Sequence, residues 1–312
     1  MSKIFVIIVT YNGLKWIDKC LESLRNNKIE VQPVVIDNHS TDDTVKYIRA
    51  NHQEVHLIES GENVGFGRAN NIGLEYAIKN SCDYVFLLNQ DAWINPDTIG
   101  HLVEIHKRNF EYGVLSPLHL SGDKKKLDYN FSCYISAHKC SNFVSDVILN
   151  RNELKEVYPI KFVNAALWLI SRECLEIVGG FDPIFPLYGE DDDYIHRVYY
   201  HHLNIGVCPT VTAFHDREQE PSRLSKQPIE TKIKRIYGHK LMSLKDINYQ
   251  LSNRTLSVIK EIFVKFIDSL FKLDYRDIRI DLIILFKLLQ NSRNISKSRK
   301  MSLKKGYSFL KI

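Results

Sequence analysis

The sequence predicts an α/β fold, a mostly parallel sheet flanked by helices, with a helical extension at its C-terminal end. Three observations carry this. Across the first ~110 residues, short apolar runs alternate with segments of helical apolar spacing, joined by brief polar loops. Beyond Ser225 the apolar spacing is helical almost throughout. The chain has 312 residues, 44% hydrophobic and 25% charged, enough for one large core and an appendage and unlike a disordered or collagen-like chain.

The elements follow in order. Phe5–Thr10 is apolar and β-branched, as a central parallel strand requires. Leu14–Asn26 spaces Trp16, Ile17, Leu21 and Leu24 as a helix. Val31–Asp37 reads as a strand, Asp42–Asn51 as a helix and His56–Glu59 as a short strand. After the Gly61–Gly67 loop, Ala69–Lys79 is a helix and Tyr84–Leu88 a buried strand. This βαβαβ order implies a parallel sheet with right-handed crossovers. Pro96–Arg108 continues as helix, Val114–Leu118 as strand, Phe162–Ser171 as strand, Arg172–Val178 as helix and Ile205–Phe214 as strand. Residues 120–159, polar and rich in Ser, Asn and Lys, read as a loop-rich insertion or lid. Residues 1–224 thus form the predicted α/β domain and 225–312 a basic helical extension, whose Ser292–Lys305 stretch is poor in apolar residues and expected to fray.

Charge is divided unevenly. From Ser225 onward there are 20 lysines and arginines against seven acids, a balance of +13, while the body has 22 against 30, a balance of −8. An acidic body argues against nucleic acid as ligand. The basic tail suits peripheral contact with an anionic membrane, packing on the body, or a homodimer. Six cysteines without a C-x-x-C pair suggest neither a zinc knuckle nor a redox motif. The opening apolar run of six residues is far short of the ~20 that span a bilayer and lacks a signal-peptide cleavage site. A cytoplasmic location is expected, including the inner face of the plasma membrane.

Three strands end in polar clusters: Thr10-Tyr11-Asn12, Asp37-Asn38 and Asn89-Gln90-Asp91. Ligands of open α/β sheets lie beyond the carboxyl ends of strands, so the three clusters are expected at one edge. No P-loop and no G-x-G-x-x-G follows the first strand, which excludes a Walker ATPase and a dinucleotide dehydrogenase. Gly65-Phe66-Gly67 is a loop through which backbone can approach a ligand. Gly189-Glu190-Asp191-Asp192-Asp193-Tyr194 crowds four acids at a helix start, and such crowding raises proton affinity in a way that suits a general base.

Together Val9–Asn12, Val35–Thr44, Asn63–Asn71, Leu87–Asp91, Gly189–Asp193 and His215 resemble the ordered motifs of family 2 glycosyltransferases, and within them bacterial rhamnosyltransferases of O-antigen, capsule and other cell-surface polysaccharides. The resemblance covers residues 3 to about 220. It implies a GT-A fold, inversion at the anomeric carbon, and a divalent cation, Mn²⁺ or Mg²⁺. Thr10, Tyr11 and Asn12 would meet the nucleotide, Asp37 its base, and Asn38 and Ser40 would lie beside it. Asn63, Gly65 and Asn70 would line the pocket over base and ribose. Asn89-Gln90-Asp91 stands where the family has its D-x-D-like motif, with Asn89 in place of the first acid; Asp91 and His215 would be the metal ligands. Asp191 would be the base and Glu190 would position it or the acceptor.

The implied partners are a nucleotide diphosphate sugar, dTDP-rhamnose or a UDP-hexose, and a glycan or lipid-linked acceptor. Two alternatives stand beside this. A sugar-phosphate nucleotidyltransferase needs a basic Gly-rich loop, and Thr10–Lys19 offers one glycine and no arginine. A non-catalytic scaffold with the same fold would have no use for the acids at 91, 190 and 191.

Overall fold

A computed structural model describes residues 2–140, 142–149, 154–185, 188–216 and 228–312. The first half alternates strand and helix: β1 (Ile4–Thr10), α1 (Ile17–Arg25), β2 (Gln32–Asp37), α2 (Thr44–Asn51), β3 (His56–Glu59), α3 (Phe66–Lys79) and β4 (Tyr84–Leu88). Then come β5 (Ala92–Ile94), α4 (Thr98–Arg108), β6 (Tyr112–Ser121), α5 (Tyr129–Tyr134), α6 (Phe143–Ile148), β7 (Tyr158–Pro159), β8 (Leu167–Ser171), α7 (Arg172–Val178), α8 (Glu190–Tyr200) and β9 (Asn204–His215). Four helices follow: α9 (Ile229–Lys245), α10 (Leu251–Phe271), α11 (Tyr275–Gln290) and α12 (Ser292–Ser302). Among the described residues no helix is long and apolar enough to cross a membrane.

The strands form one sheet in the order β3-β2-β1-β4-β8-β6-β9-β5, with β7 on β9. Its β3-β2-β1-β4 half is parallel, as expected. The other half is mixed, because β8 runs antiparallel to both β4 and β6. Running antiparallel, β8 starts at the edge where β4 ends, pairing Leu167 with Leu88.

Even the uniformly apolar β1 sorts its side chains by alternation. Phe5 and Ile7 face a core layer with Leu74, Ala77, Leu175 and Tyr194, whereas Ile4, Val6 and Ile8 face Leu21, Leu24, Ile99 and Leu102. One layer is therefore capped by α3, α7 and α8, the other by α1, α2 and α4. The 120–159 stretch contributes Phe131, Phe143 and Tyr158 to the first layer.

The extension has its own core, where Ile233, Tyr237 and Leu241 of α9 meet Val258, Ile262, Ile280, Ile284 and Leu288, and Phe185 of the body joins it. The stretch expected to fray is instead the helix α12, with Ile295, Ser298, Arg299 and Ser302 buried. Its anchor is polar, which apolar spacing does not reveal. Arg299 donates to the carbonyls of Leu244 (2.9 Å), Asp246 (2.6 Å) and Tyr249, where α9 ends and the next loop begins.

A fully buried charge network joins body and extension. Lys245 of α9 lies 2.8 Å from Asp182 and 3.7 Å from Asp193, and donates to Ser302 at 2.8 Å. Asp193 accepts from Arg197 at 2.8 Å, and Arg197 spends its other donors on the carbonyls of Val178 and Gly180, each at 2.8 Å. Removing one partner of such a network strands the opposite charge without water. Lys245→Met is expected to lower stability by ~3–5 kcal/mol in urea denaturation, and a loss below ~1 kcal/mol would contradict this account.

Candidate functional site

The parallel register of β1, β2 and β4 brings the three polar strand ends to one edge. Asn38 N–H donates to the Thr10 carbonyl at 2.7 Å. The Thr10 hydroxyl donates to Gln90 Oε1 at 2.7 Å, Tyr11 N–H donates to the same oxygen at 3.0 Å, and Gln90 Nε2 donates to the Tyr11 carbonyl at 3.3 Å. Gln90 thus clamps the end of β1 from β4. A Cβ on Gly13 would lie 2.4 Å from both Gln90 Oε1 and Thr10 Oγ1, so only glycine fits there.

Asn12, at φ 49°, donates through its N–H to Ser40 Oγ at 2.9 Å and accepts from Thr41 N–H at 2.8 Å. Asp37 is buried; its Oδ2 accepts from Ser40 N–H at 3.0 Å, and its Oδ1 has no partner among the described residues. Asn38 donates to Asn63 Oδ1 at 3.1 Å and accepts from Val64 N–H at 2.8 Å, which ties the Gly-rich loop to β2. Gly65, at φ 86°, precedes α3, and Asn70 on that helix donates to the Phe66 carbonyl at 3.0 Å. Tyr11 stays 45% exposed, with its ring available at the mouth of this edge.

The short strand β5 places His215. Ala92 pairs with His215 across the β5–β9 ladder, and Asp216 N–H donates to the Asp91 carbonyl at 2.8 Å. His215 Nε2 then lies 3.3 Å from Asp91 Oδ1, the histidine buried and the carboxylate a quarter exposed. Adjacent octahedral ligands of a cation at ~2.1 Å are about 3 Å apart, so a carboxylate oxygen and an imidazole nitrogen at this separation fit a divalent cation. His119 packs edge-on to His215, with ring centroids 6.2 Å apart, and stacks on Phe131. Elsewhere among the described residues Asp18, Glu22 and His52 converge, but Arg25 bonds Glu22 and Glu54 and lies against His52, so charge is balanced there within the chain.

The acidic run opens α8, with Gly189 at φ 98° before it. Its acids have separate environments. Asp193 belongs to the buried network. Asp191 accepts from Ala165 N–H at 3.0 Å, while the next carbonyl, Ala166, accepts from Asn89 N–H at 3.0 Å. Two consecutive residues before β8 therefore join the acidic run to the Asn-Gln-Asp turn. Glu190 is buried beneath the Gly-rich loop: a Cβ on Gly67 would lie 3.6 Å from its Cβ. Its Oε2 has no partner among the described residues. Burial first, and the Asp191 charge second, push the Glu190 carboxyl up to about 8, and the same causes push Asp192 up to about 7.

All the strand-end residues expected at one edge thus meet there, and Asp91 meets His215. Sequence reasoning missed β5, His119 and the Ala165–Ala166 bridge. Three residues carry too little periodicity to mark β5, and a bridge made by backbone atoms leaves no mark in residue type.

The Glycosyl transferase family 2 profile matches residues 5–178. The chain is similar to the low-salt glycan biosynthesis hexosyltransferase Agl10 of Haloferax volcanii, 26% identical over 224 residues, covering 72% of this chain and 70% of that one. It is also similar to the dTDP-rhamnosyl transferase RfbF of Shigella flexneri, 24% identical over 273 residues, with 82% and 88% covered. Among solved structures, the mannosyltransferase PcManGT from Pyrobaculum calidifontis in complex with GDP-Man and Mn²⁺ superposes with a TM-score of 0.58 at 16% identity, over 97% of this chain and 81% of that one. S. aureus TarS 1-349 in complex with UDP gives 0.55 at 15% identity, over 96% and 90%. The GT-A fold expected from the motifs is the fold observed.

A carboxyl whose pKa is raised by folding costs stability as pH climbs from its unfolded value of 4.5 towards about 8, because the unfolded chain gives up its proton first. Glu190→Gln removes that ionisation. Relative to the parent, the variant is expected to gain at least ~1 kcal/mol between pH 4 and pH 8.5, the equivalent of one pKa unit or less. Urea denaturation across that range checks it; a pH-independent difference would contradict the assignment.

Proposed function

Because the chain belongs to glycosyl transferase family 2, we propose that it moves a sugar from a nucleoside diphosphate to a hydroxyl of a glycan or lipid-linked oligosaccharide, with inversion at the anomeric carbon. The supporting observation is the single sheet edge that gathers Asp37, the Asp91–His215 pair and the Glu190–Asp191 turn. The assigned donor is dTDP-rhamnose, with UDP-hexoses as the alternative. The rhamnosyl transferases among similar proteins favour it. The buried Oδ1 of Asp37 suits the imide N–H shared by thymine and uracil, since a buried acceptor gains most from a donor that reaches it. Tyr11 offers an aromatic face beside that position.

Asp191 is the proposed base. The Ala165 N–H holds its carboxylate in one orientation and lowers the cost of its charge. Glu190, its carboxyl pushed up to about 8 mainly by burial, carries a proton at neutral pH and sets no second negative charge beside Asp191. As the acceptor oxygen bonds to the anomeric carbon, its proton passes to Asp191 and the bond to the diphosphate breaks, the electron pair leaving with the phosphate oxygen. Asp91 and His215 would hold a divalent cation, which when bound supplies positive charge to the diphosphate.

Two experiments test this reading. Asp191→Asn is expected to lower sugar transfer by about 10²–10⁴-fold while nucleotide affinity by calorimetry stays within about twofold. Retained transfer, with loss instead on Asp192→Asn, would move the base by one residue. Asp91→Ala should weaken dTDP and UDP binding in Mn²⁺ to the level the parent shows in chelator. Unchanged affinity would remove the cation assignment, and no transfer by the parent with any donor would favour a scaffold.

A further inference from the structure

Helices α10 and α11 form a hairpin with two apolar stripes on each helix. One stripe packs on α9. The other is exposed. On α10 it runs through Leu256, Ile259 and Phe263, and on α11 through Leu282, Phe286 and Leu289, each 51–70% exposed and three or four residues apart. The hairpin tip adds Phe271 (87% exposed), Leu273 (69%) and Tyr275 (75%). Monomeric proteins in water rarely leave contiguous apolar surface on this scale uncovered.

The uncompensated charges around this surface are mostly positive. Four of the five hairpin acids are met by lysines of the extension, Glu261 by Lys240, Asp268 by Lys272, Asp277 by Lys232 and Asp281 by Lys265, and the fifth, Asp274, caps α11 by accepting from the Arg276 and Asp277 N–H groups. Lys260, Arg276, Arg279 and Lys287 form no ion pair among the described residues, and all four are exposed. Beyond them, Arg293, Lys297, Lys300 and Lys304 line one groove along α12, spaced by four, three and four residues with no acid between.

We propose that the exposed α10–α11 face and the basic row of α12 dock the protein on an anionic lipid bilayer. Aromatic and aliphatic side chains enter the boundary between headgroups and acyl chains, while lysine and arginine reach lipid phosphates. A second copy of the chain is the less suitable occupant. A two-fold dimer would set the same uncompensated cations against each other. Docking also positions the acidic turn, since Phe185 joins the core of the extension and Gly189 lies against the Gly238 carbonyl of α9. One helix layer would separate bilayer from turn, and only this consequence, access to a lipid-linked acceptor, rests on the function proposed above.

Co-sedimentation of the full chain with phosphatidylcholine vesicles, with and without about one third phosphatidylglycerol, tests the docking at moderate salt. The parent is expected to bind the anionic vesicles at least tenfold more tightly than the neutral ones, each basic residue contributing about fivefold. Phe271→Ser with Leu273→Ser should weaken binding at least tenfold, and Lys297→Glu with Lys300→Glu should abolish the preference for anionic lipid. All four side chains are exposed, so thermal melting should be unchanged in both variants. Equal binding to the two vesicle types, full binding by the tip variant, or a dimer that the tip variant dissociates while vesicles go unbound would each overturn the proposal. Vesicle binding needs neither donor nor turnover, so failure here is separate from failure of the transferase assignment.

Discussion

The arrangement depends first on a lysine and an arginine buried with two aspartates. Lys245 and Arg197 hold Asp182 and Asp193 where water cannot reach them, and each of the four belongs to a segment the site needs. Asp182 opens a turn on the way to α8, Asp193 lies in the first turn of that helix, Arg197 in its second, and Lys245 closes α9. Buried charge of this kind gains little over an apolar core but tolerates few alternative arrangements. Its effect is to fix the angle at which α8 delivers Glu190 and Asp191 to the sheet edge. The four acids are therefore not equivalent: the last lies in the buried network, Glu190 lies beneath the Gly-rich loop, and Asp191 accepts from the Ala165 N–H.

The reversed strand β8 has the complementary effect. A parallel strand in its place would begin at the far edge of the sheet, away from Asp191. Running antiparallel, β8 begins beside the end of β4, and the residues just before it bond to Asp191 on one side and Asn89 on the other. Asp191, the proposed base, and the Asn89-Gln90-Asp91 turn are thereby held by a shared backbone segment rather than by side chains that must find each other.

What was legible in the sequence follows from where the information resides. Strands β1 to β4 and their helices were readable because apolar spacing and polar strand ends are local, and the Thr10, Asp37 and Asn89 clusters met as parallel crossovers require. The direction of β8 depends on the path of the 120–159 stretch, which has no dominant period. Helix α12 was read as a frayed end because it is held by Arg299, Ser298 and Ser302 through hydrogen bonds, and apolar spacing does not record those. The proximity of His215 to Asp91 depends on a three-residue strand, and only the motif resemblance pointed to it.

The segment from Gly306 to Ile312 returns to the body and closes the structure on itself. Ser308 accepts from Gly180 N–H at 2.9 Å, the Phe309 carbonyl accepts from Asn71 at 3.2 Å, and the Phe309 ring lies under Arg197 and Lys245 at 5.1 and 5.6 Å. Gly179, at φ 81°, has no room for a side chain because the Ser308 backbone lies against it. Extension and body are thus interlocked rather than strung in series. Exchanging the helical extension between such proteins, as one exchanges modules along a chain, would carry away part of the wall behind the acidic turn. A chimera would have to be cut at both ends of that embrace.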